Sequence, residues 1–134
     1  MHHPAPTVAD IQKAIRNVPD FPKPGIQFKD ITPVLADPGL FAGCIDLLAA
    51  PFQLGEVDAV VGIDARGFIF AAAVALQLKA GFVPVRKKGK LPFTSFEQSY
   101  DLEYGQNTIA IHVDAFKPGS RVLLVDDLLA TGGT

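Results

Sequence analysis

The sequence has little cysteine, no excess of charge of one sign and no long apolar run. Only one of the 134 residues is cysteine, Cys44, so the chain can form neither an intrachain disulfide nor a multi-cysteine zinc site. This composition favours a reducing, cytoplasmic location over secretion. Twelve Lys and Arg stand against 14 Asp and Glu, and the resulting net charge of -2 weighs against a general nucleic-acid binder. No window approaches the roughly 18 apolar residues of a membrane span, so we expect no membrane partner.

The residues that are present, 49% hydrophobic and 19% charged, are typical of one soluble globular domain. Thr7 begins a capping box, and apolar residues recur at helical spacing after it until Pro19. The segment Asp20–Pro33 is rich in proline, which predicts an ordered loop with apolar anchors. Asp37 is followed by proline and then by a second helical pattern, so it predicts a helix that ends near Pro51.

The rest of the chain alternates between strand and helix patterns, which predicts an α/β fold with a mainly parallel sheet in one domain, 1–134. The helix predicted over Phe68–Leu78 is Ala-rich, and we expect it to pack on the sheet through Phe68, Ala72, Ala75 and Leu76. The predicted segments are a buried strand over Val57–Ile63, a helix over Phe68–Leu78, a strand over Gly81–Arg86, an exposed loop over Lys87–Ser99, and strands over Tyr100–Tyr104, Thr108–Val113 and Val122–Val125.

The most informative stretch is V-L-L-V-D-D-L-L-A-T-G-G-T, residues 122–134. Its apolar residues predict a strand that places Asp126 and Asp127 at its carboxyl end, where open α/β sheets bind ligands. The following Thr-Gly-Gly-Thr turn can form a nest of backbone N–H groups and hydroxyls that binds a phosphate. Carboxylates can accept hydrogen bonds from sugar hydroxyls, so a phosphorylated ribose fits both halves. The alternative is a strand that ends in a solvated acidic turn.

This stretch resembles the phosphoribosyl diphosphate signature of the type I phosphoribosyltransferases. The resemblance extends from about Ile11 to Thr134 and is strongest to the adenine-specific members of that family. It also includes four other motifs: D-F-P-K-P-G-I-Q-F-K-D-I-T-P at 20–33, G-I-D-A-R-G-F at 62–68, V-R-K-K-G-K-L-P at 85–92 and S-Y-D-L-E-Y-G at 99–105.

The resemblance implies a type I phosphoribosyltransferase fold with a flexible lid loop and an N-terminal hood that covers the base. The implied reaction transfers the 5-phosphoribosyl group from phosphoribosyl diphosphate to adenine and gives AMP and diphosphate. The implied cofactor is Mg²⁺, which would arrive on the diphosphate with no direct protein ligand. A homodimer is also implied, and a positive mean hydropathy of +0.27 is compatible with a covered apolar surface.

Five residues are candidates for binding the base and the diphosphate. Phe28 lies in a proline-rich loop and can stack on a purine, with Lys29 beside it, although Phe28 could instead anchor the loop in the core. Arg66 follows a buried strand and begins a helix, so it can bind diphosphate or pair with a surface carboxylate. Lys87 and Lys90 belong to a basic run that is either a solvated surface or, by the resemblance, a lid over the departing diphosphate.

Catalysis and phosphate binding are assigned to the remaining candidates. Glu103 lies between apolar and aromatic neighbours that can raise the pKa of its carboxyl, and the family gives this Glu a proton-transfer role, with Arg66 as the second catalytic candidate. A solvated Glu103 on a strand face is the alternative. Asp126 and Asp127 are expected to hold the ribose hydroxyls. The 5′-phosphate is expected to bind the loop formed by Ala130, Thr131, Gly132, Gly133 and Thr134.

Two other functions stay open at this point. A phosphoribosyltransferase for hypoxanthine, xanthine or orotate is possible because Gln27 and Lys29 depart from the family pattern at the base loop. A noncatalytic regulator that senses phosphoribosyl diphosphate would keep the same fold. The sequence stops at Thr134 within the phosphate loop, so we expect a C-terminal part of the domain to be missing.

Overall fold

The computed structural model describes residues 4–102 and 105–128, which fall into two compact units that divide between Ala50 and Pro51. No described helix has the length and apolar character needed to cross a membrane. The expectation of one domain over the whole chain stays a prediction. In chain order the elements are α1 (Val8–Ala14), β1 (Arg16–Pro19), β2 (Gln27–Asp30), α2 (Thr32–Ala36), α3 (Pro38–Ala49), β3 (Ala59–Ile63), α4 (Arg66–Leu78), β4 (Gly81–Lys87), β5 (Ser95–Leu102), β6 (Gly105–His112) and β7 (Val122–Val125).

The first unit begins with the predicted capping box. The Thr7 hydroxyl accepts from the Asp10 N–H at 3.2 Å, and the Asp10 carboxylate accepts from the Thr7 N–H at 2.8 Å. The helix ends at Ala14, however, and the continuation of the helical pattern to Val18 is wrong. The reason is tertiary pairing: Val18 lies opposite Phe28 in the antiparallel ribbon of β1 and β2.

The expectation of a loop throughout residues 20–33 is also wrong, because this segment contains β2 and the start of α2. A turn with two positive φ angles, Asp20 at 55° and Gly25 at 89°, returns the chain from β1 to β2. The Asp20 carboxylate closes that turn by accepting from the Gly25 N–H at 2.8 Å. The helix predicted after Asp37 is confirmed as α3, whose Leu40 N–H donates to the Asp37 carboxylate at 3.0 Å.

The second unit contains a five-stranded sheet in the order β5-β6-β4-β3-β7. Strand β3 is parallel to both β4 and β7, as expected for the central strands. Strand β6 is antiparallel to both β4 and β5, so the sheet is mixed rather than mainly parallel.

Helix α4 packs against β3 more closely than two ordinary side chains would permit. A Cβ added to Gly62 would lie 2.6 Å from the Cβ of Ala71. The helix is confirmed, but its predicted face is only partly right, because Leu76 is 82% exposed. The buried stripe follows the spacing i, i+4, i+7 and i+11 from Gly67, which the start of the helix at Arg66 fixes. Its members are Gly67, Phe70, Ala71, Val74, Ala75 and Leu78.

The opposite face of β3 is buried as well. Ala59 and Val61 form a cluster with Val83 and Val85 of β4, and this cluster is covered in part by Ile63, Ile109, Ile111 and Ala115. The prediction of a strand buried on both faces is therefore confirmed.

The long exposed loop predicted over Lys87–Ser99 is too long. Strand β5 begins at Ser95, so the loop between β4 and β5 comprises only residues 88–94. Strand β5 lies at the edge of the sheet and leaves Phe96 65% exposed, so it lacks the apolar alternation that marks a half-buried strand.

Candidate functional site

The three parallel strands β3, β4 and β7 end together, and charged residues follow or occupy each of these ends. Asp64 follows β3, Arg86 and Lys87 end β4, and Asp126 and Asp127 follow β7. In open α/β sheets the carboxyl ends of the strands are where ligands bind. Of the predicted candidates, Lys87, Asp126 and Asp127 thus lie at the same end of the parallel strands.

Arg66 and Asp127 form an ion pair at this end of the strands. The Arg66 Nε lies 2.9 Å from Asp127 Oδ2, and the side chain of Asp127 is only 9% exposed while that of Arg66 is 43% exposed. Arg66 is the first residue of α4 and follows the Asp64–Ala65 peptide bond, which is cis. The sequence left open whether Arg66 pairs with a surface carboxylate. Its partner is instead a nearly buried carboxylate of the predicted ribose pair.

The two aspartates after β7 have different surroundings. Asp126 Oδ1 accepts from the Asp127 N–H at 2.8 Å. It also lies against the first turn of α4, because a Cβ added to Gly67 would be 2.8 Å from the same oxygen. Partial burial raises the pKa of Asp126, and the neighbouring Asp127 carboxylate raises it further, while the Asp127 N–H and the Arg66 charge lower it. Both carboxylates are placed where they can accept hydrogen bonds from hydroxyl groups.

Arg86 connects the turn after β3 with the turn after β4. Its Nε donates to Asp64 Oδ2 at 2.9 Å, and its Nη1 donates to the Lys90 carbonyl at 3.2 Å. Lys90 ends a tight turn that its own N–H closes by donating to the Lys87 carbonyl at 3.1 Å. Lys88, between them, pairs with Glu97 of β5 at 3.6 Å, so its ammonium group is directed to that strand.

The sequence motifs do not single out Arg86, which lies within V-R-K-K-G-K-L-P next to the candidates Lys87 and Lys90. The signal that could have found it is the register of the parallel strands. Ile63 lies opposite Val85, so the next residues along the two strands, Asp64 and Arg86, are neighbours despite their separation in sequence. Predicting this pair requires the register, which the two apolar runs alone do not give.

In the first unit, Phe28 is half-buried in β2 rather than in a loop. Its ring packs edge-on against that of Phe21, with centroids 5.1 Å apart and an interplanar angle of 70°. Lys29 is exposed, and because successive side chains of a strand alternate between faces, the Lys29 and Phe28 side chains lie on opposite faces of the ribbon. The two residues were predicted together, but their side chains do not share a surface.

Several predicted site residues lie outside the described residues. They are Glu103, Ala130, Thr131, Gly132, Gly133 and Thr134. Within residues 4–102 and 105–128, no three His, Cys, Asp or Glu side chains are grouped so that they could hold a metal ion.

Comparison with known proteins agrees with the strand-end geometry. The family model of the phosphoribosyl transferase domain matches residues 30–134. The adenine phosphoribosyltransferase of Acidothermus cellulolyticus is 66% identical over 120 residues, which is 90% of this chain and 68% of the relative. That of Myxococcus xanthus is 57% identical over 140 aligned positions, covering 100% of this chain and 76% of the relative.

Solved structures give the same result. The adenine phosphoribosyltransferase of Rhodothermus marinus has a TM-score of 0.87 and 59% identity, covering 94% of this chain and 72% of that one. The enzyme of Giardia lamblia, solved with 9-deazaadenine, has a TM-score of 0.88 and 41% identity, covering 95% and 71%. The chain therefore belongs to the phosphoribosyl transferase family and, within it, to the adenine phosphoribosyltransferases.

Proposed function

We propose that the chain transfers the 5-phosphoribosyl group of phosphoribosyl diphosphate to adenine, giving AMP and diphosphate in purine salvage. The bond from the anomeric carbon to the diphosphate oxygen breaks, and a bond from that carbon to adenine N9 forms. The observation that carries the proposal is the meeting of Asp126, Asp127 and Arg66 at the carboxyl ends of β3 and β7. The names of the relatives and the adenine analogue bound to the Giardia enzyme support adenine as the base.

In this proposal the acidic pair binds the ribose and the basic residues bind the diphosphate. Asp126 and Asp127 accept hydrogen bonds from the ribose hydroxyls and balance the positive charge that develops on the sugar ring. Arg66, Lys87 and Lys90 stabilise the departing diphosphate. The ion pair of Arg66 with Asp127 at 2.9 Å supports this division, because it holds a cation directly beside the proposed ribose position. The signature loop, Ala130 to Thr134, is assigned the 5′-phosphate from its sequence.

The base is assigned to the first unit. Phe28 is assigned the contact with adenine because an aromatic ring can stack on a purine, and its contact with Phe21, at 5.1 Å and 70°, helps to fix the ring in β2. Lys29 is assigned a backbone contact, because its side chain lies on the other face of the ribbon. The N-terminal segment would then serve as the hood over the base.

Magnesium is proposed to arrive on the diphosphate. The described residues fit this mode, since Arg66 offers a basic group for a metal-bound diphosphate beside the acidic pair. When bound, the ion would neutralise charge on the leaving group. Glu103 is the proposed proton-transfer residue, and its carboxylate would accept the proton that leaves adenine N9.

The remaining assignments concern assembly and location. We propose one phosphoribosyltransferase domain over 1–134, a homodimer, and a cytoplasmic location without nucleic-acid or membrane partners. Large apolar side chains on the surface of the second unit, including Leu76 and Phe96, support an assembly that covers apolar area.

The function is tested by turnover with phosphoribosyl diphosphate, Mg²⁺ and each of adenine, hypoxanthine, guanine, xanthine and orotate. The proposal expects AMP from adenine, no nucleotide from the other bases, and no turnover after the metal is chelated. A product from another base alone would identify a different phosphoribosyltransferase. Binding of phosphoribosyl diphosphate without any product would favour the sensing regulator.

The proton-transfer role has its own test. Glu103→Gln should lower kcat by roughly 10²-fold or more, as expected when a general acid–base group is lost. Glu97→Gln is the matched control, because it removes the carboxylate of a glutamate on β5 that pairs with Lys88 at 3.6 Å. Equal turnover in the Glu103 variant and the control would contradict the role.

A further inference from the structure

Arg86 makes two contacts that no sequence motif assigns. It is the penultimate residue of β4, and its guanidinium reaches two segments on either side. Nε donates to Asp64 Oδ2 at 2.9 Å, and Nη1 donates to the Lys90 carbonyl at 3.2 Å. One planar group therefore connects the turn after β3 with the turn after β4.

Each of the two segments carries residues that the proposed function assigns to the diphosphate. Asp64 lies two residues before Arg66, and its N–H donates to the Val85 carbonyl at 2.9 Å. Lys90 closes a turn onto Lys87 at 3.1 Å. The distance from the Arg66 side chain to those of Lys87 and Lys90 thus depends on Arg86, which links the two turns.

An arginine suits this link better than a lysine. The guanidinium offers several donors in a fixed plane and can contact a carboxylate and a carbonyl at once, whereas an ammonium is a single point. Asp64 balances the charge of Arg86, so the main effect of the pair is geometric. The two side chains are 38% and 30% exposed, and a surface ion pair of this kind contributes little to global stability.

We propose that Arg86 is a positioning residue that holds the Asp64–Arg66 turn and the Lys87–Lys90 turn at the spacing needed to bind diphosphate. This inference rests on the proposed function. Without Arg86, the Lys87–Lys90 turn opens more often, and the basic groups must be brought together when the substrate binds. The cost falls on binding of phosphoribosyl diphosphate and not on the chemistry or on adenine.

The test compares Arg86→Lys and Arg86→Gln with the matched control Arg121→Gln. Arg121 makes the same kind of link, to the Gly55 carbonyl at 2.6 Å and to the Asp58 carboxylate at 3.3 Å. Arg121 lies just before β7, and Asp58 lies just before β3. This link is therefore at the amino ends of the strands, whereas the candidate site is at their carboxyl ends. The Arg121→Gln variant therefore shows the effect of losing an arginine link that lies away from the candidate site.

Two readouts are needed. The first is hydrogen exchange of the Lys90 amide, which reports the second turn without requiring any activity. The Lys88 amide donates to the Thr108 carbonyl of β6 at 2.9 Å and serves as an internal reference. The second readout is the steady-state kinetics with each substrate varied in turn.

The proposal expects faster exchange at Lys90 but not at Lys88 in both Arg86 variants. It also expects the KM for phosphoribosyl diphosphate to rise about tenfold, the loss of roughly one charge-assisted hydrogen bond, with kcat and the KM for adenine within about twofold. The Arg121 variant should leave exchange at Lys90 and both KM values unchanged.

Each other outcome overturns the proposal. Unchanged exchange with a raised KM would mean that Arg86 acts on the substrate directly, and faster exchange with an unchanged KM would mean that the spacing does not matter. If an Arg86 variant fails to fold, Asp64→Asn tests the same link from its other side and should give the same pattern more weakly. Failure of the proposed function is distinguishable, because the unsubstituted chain would then form no AMP.

Discussion

Gly67→Ala is expected to separate substrate binding from stability at the site. Gly67 is the second residue of α4, and an added Cβ would lie 2.8 Å from Asp126 Oδ1. Ordinary contact begins at 3.4 Å, so the carboxylate must move by about 0.6 Å. The same oxygen accepts from the Asp127 N–H at 2.8 Å, and a movement of this size directly away from Asp127 would weaken that hydrogen bond.

The expected change in melting temperature follows from two opposing effects on stability, and the expected change in KM follows from one effect on binding. Losing the hydrogen bond costs about 1 kcal/mol, and replacing glycine by alanine in a helix gains about 1 kcal/mol. The melting temperature should therefore change by less than about 4 °C, since about 1 kcal/mol corresponds to 3–4 °C in a domain of this size. A displaced Asp126 loses a charge-assisted bond to the ribose, about 1.5–3 kcal/mol, so the KM for phosphoribosyl diphosphate should rise roughly 10- to 150-fold.

The chain provides a matched control in Gly39→Ala. Gly39 is also the second residue of its helix, α3, and its added Cβ would lie 3.4 Å from Asp37 Oδ1, which is ordinary contact. Steady-state kinetics and thermal unfolding are measured for both variants. A KM within twofold of the unsubstituted chain for Gly67→Ala, or an equal rise for Gly39→Ala, would refute the placement of Asp126 in the substrate site.

Two further predictions concern stability. Gly62→Ala brings a Cβ within 2.6 Å of Ala71 Cβ and should lower the melting temperature by roughly 4–11 °C, the equivalent of about 1–3 kcal/mol, whereas Gly81→Ala, whose nearest atom is 3.9 Å away, should not lower it. Hydrogen bonds from Arg121 hold the pKa of Asp58 below its usual value of 3.8, so this carboxylate stabilises the fold above about pH 4 and loses that effect as the pH falls through its folded pKa. Urea titration should therefore find Asp58→Asn less stable than the unsubstituted chain at pH 7 and closer to it at pH 3; equal differences at both pH values would contradict this account.

The sequence predicts the central strands and helices well because each of them contains a run or a stripe of apolar residues along most of its length. Strands β3, β4 and β7 and helices α3 and α4 follow from runs or stripes of buried residues. The short ribbon of β1 and β2 and the edge strand β5 could not be predicted in the same way. Val18 mimics helical spacing, and the exposed Phe96 lies on an edge strand, so tertiary pairing decides what the local pattern does not.

The site shows the same division. The motifs identify Arg66 and the pair of aspartates after β7 because their residue types suit a phosphorylated sugar. The motifs do not identify the contacts of Arg66 with Asp127 or of Arg86 with Asp64, since these depend on strand order and register. The close approach of Gly67 to Asp126 is likewise a property of how α4 packs on the sheet.

The measurement that tests the central claim most directly is calorimetric titration of the Asp126→Asn, Asp127→Asn double variant with magnesium phosphoribosyl diphosphate. Partial burial raises the pKa of Asp126, so the charge of this carboxylate opposes folding at neutral pH. Removing that charge is therefore not expected to unfold the protein, and circular dichroism verifies that the variant is folded. If the acidic pair binds the ribose, the Kd should rise at least about tenfold, the effect of losing one charge-assisted hydrogen bond. A folded double variant that binds phosphoribosyl diphosphate as tightly as the unsubstituted chain would contradict the account.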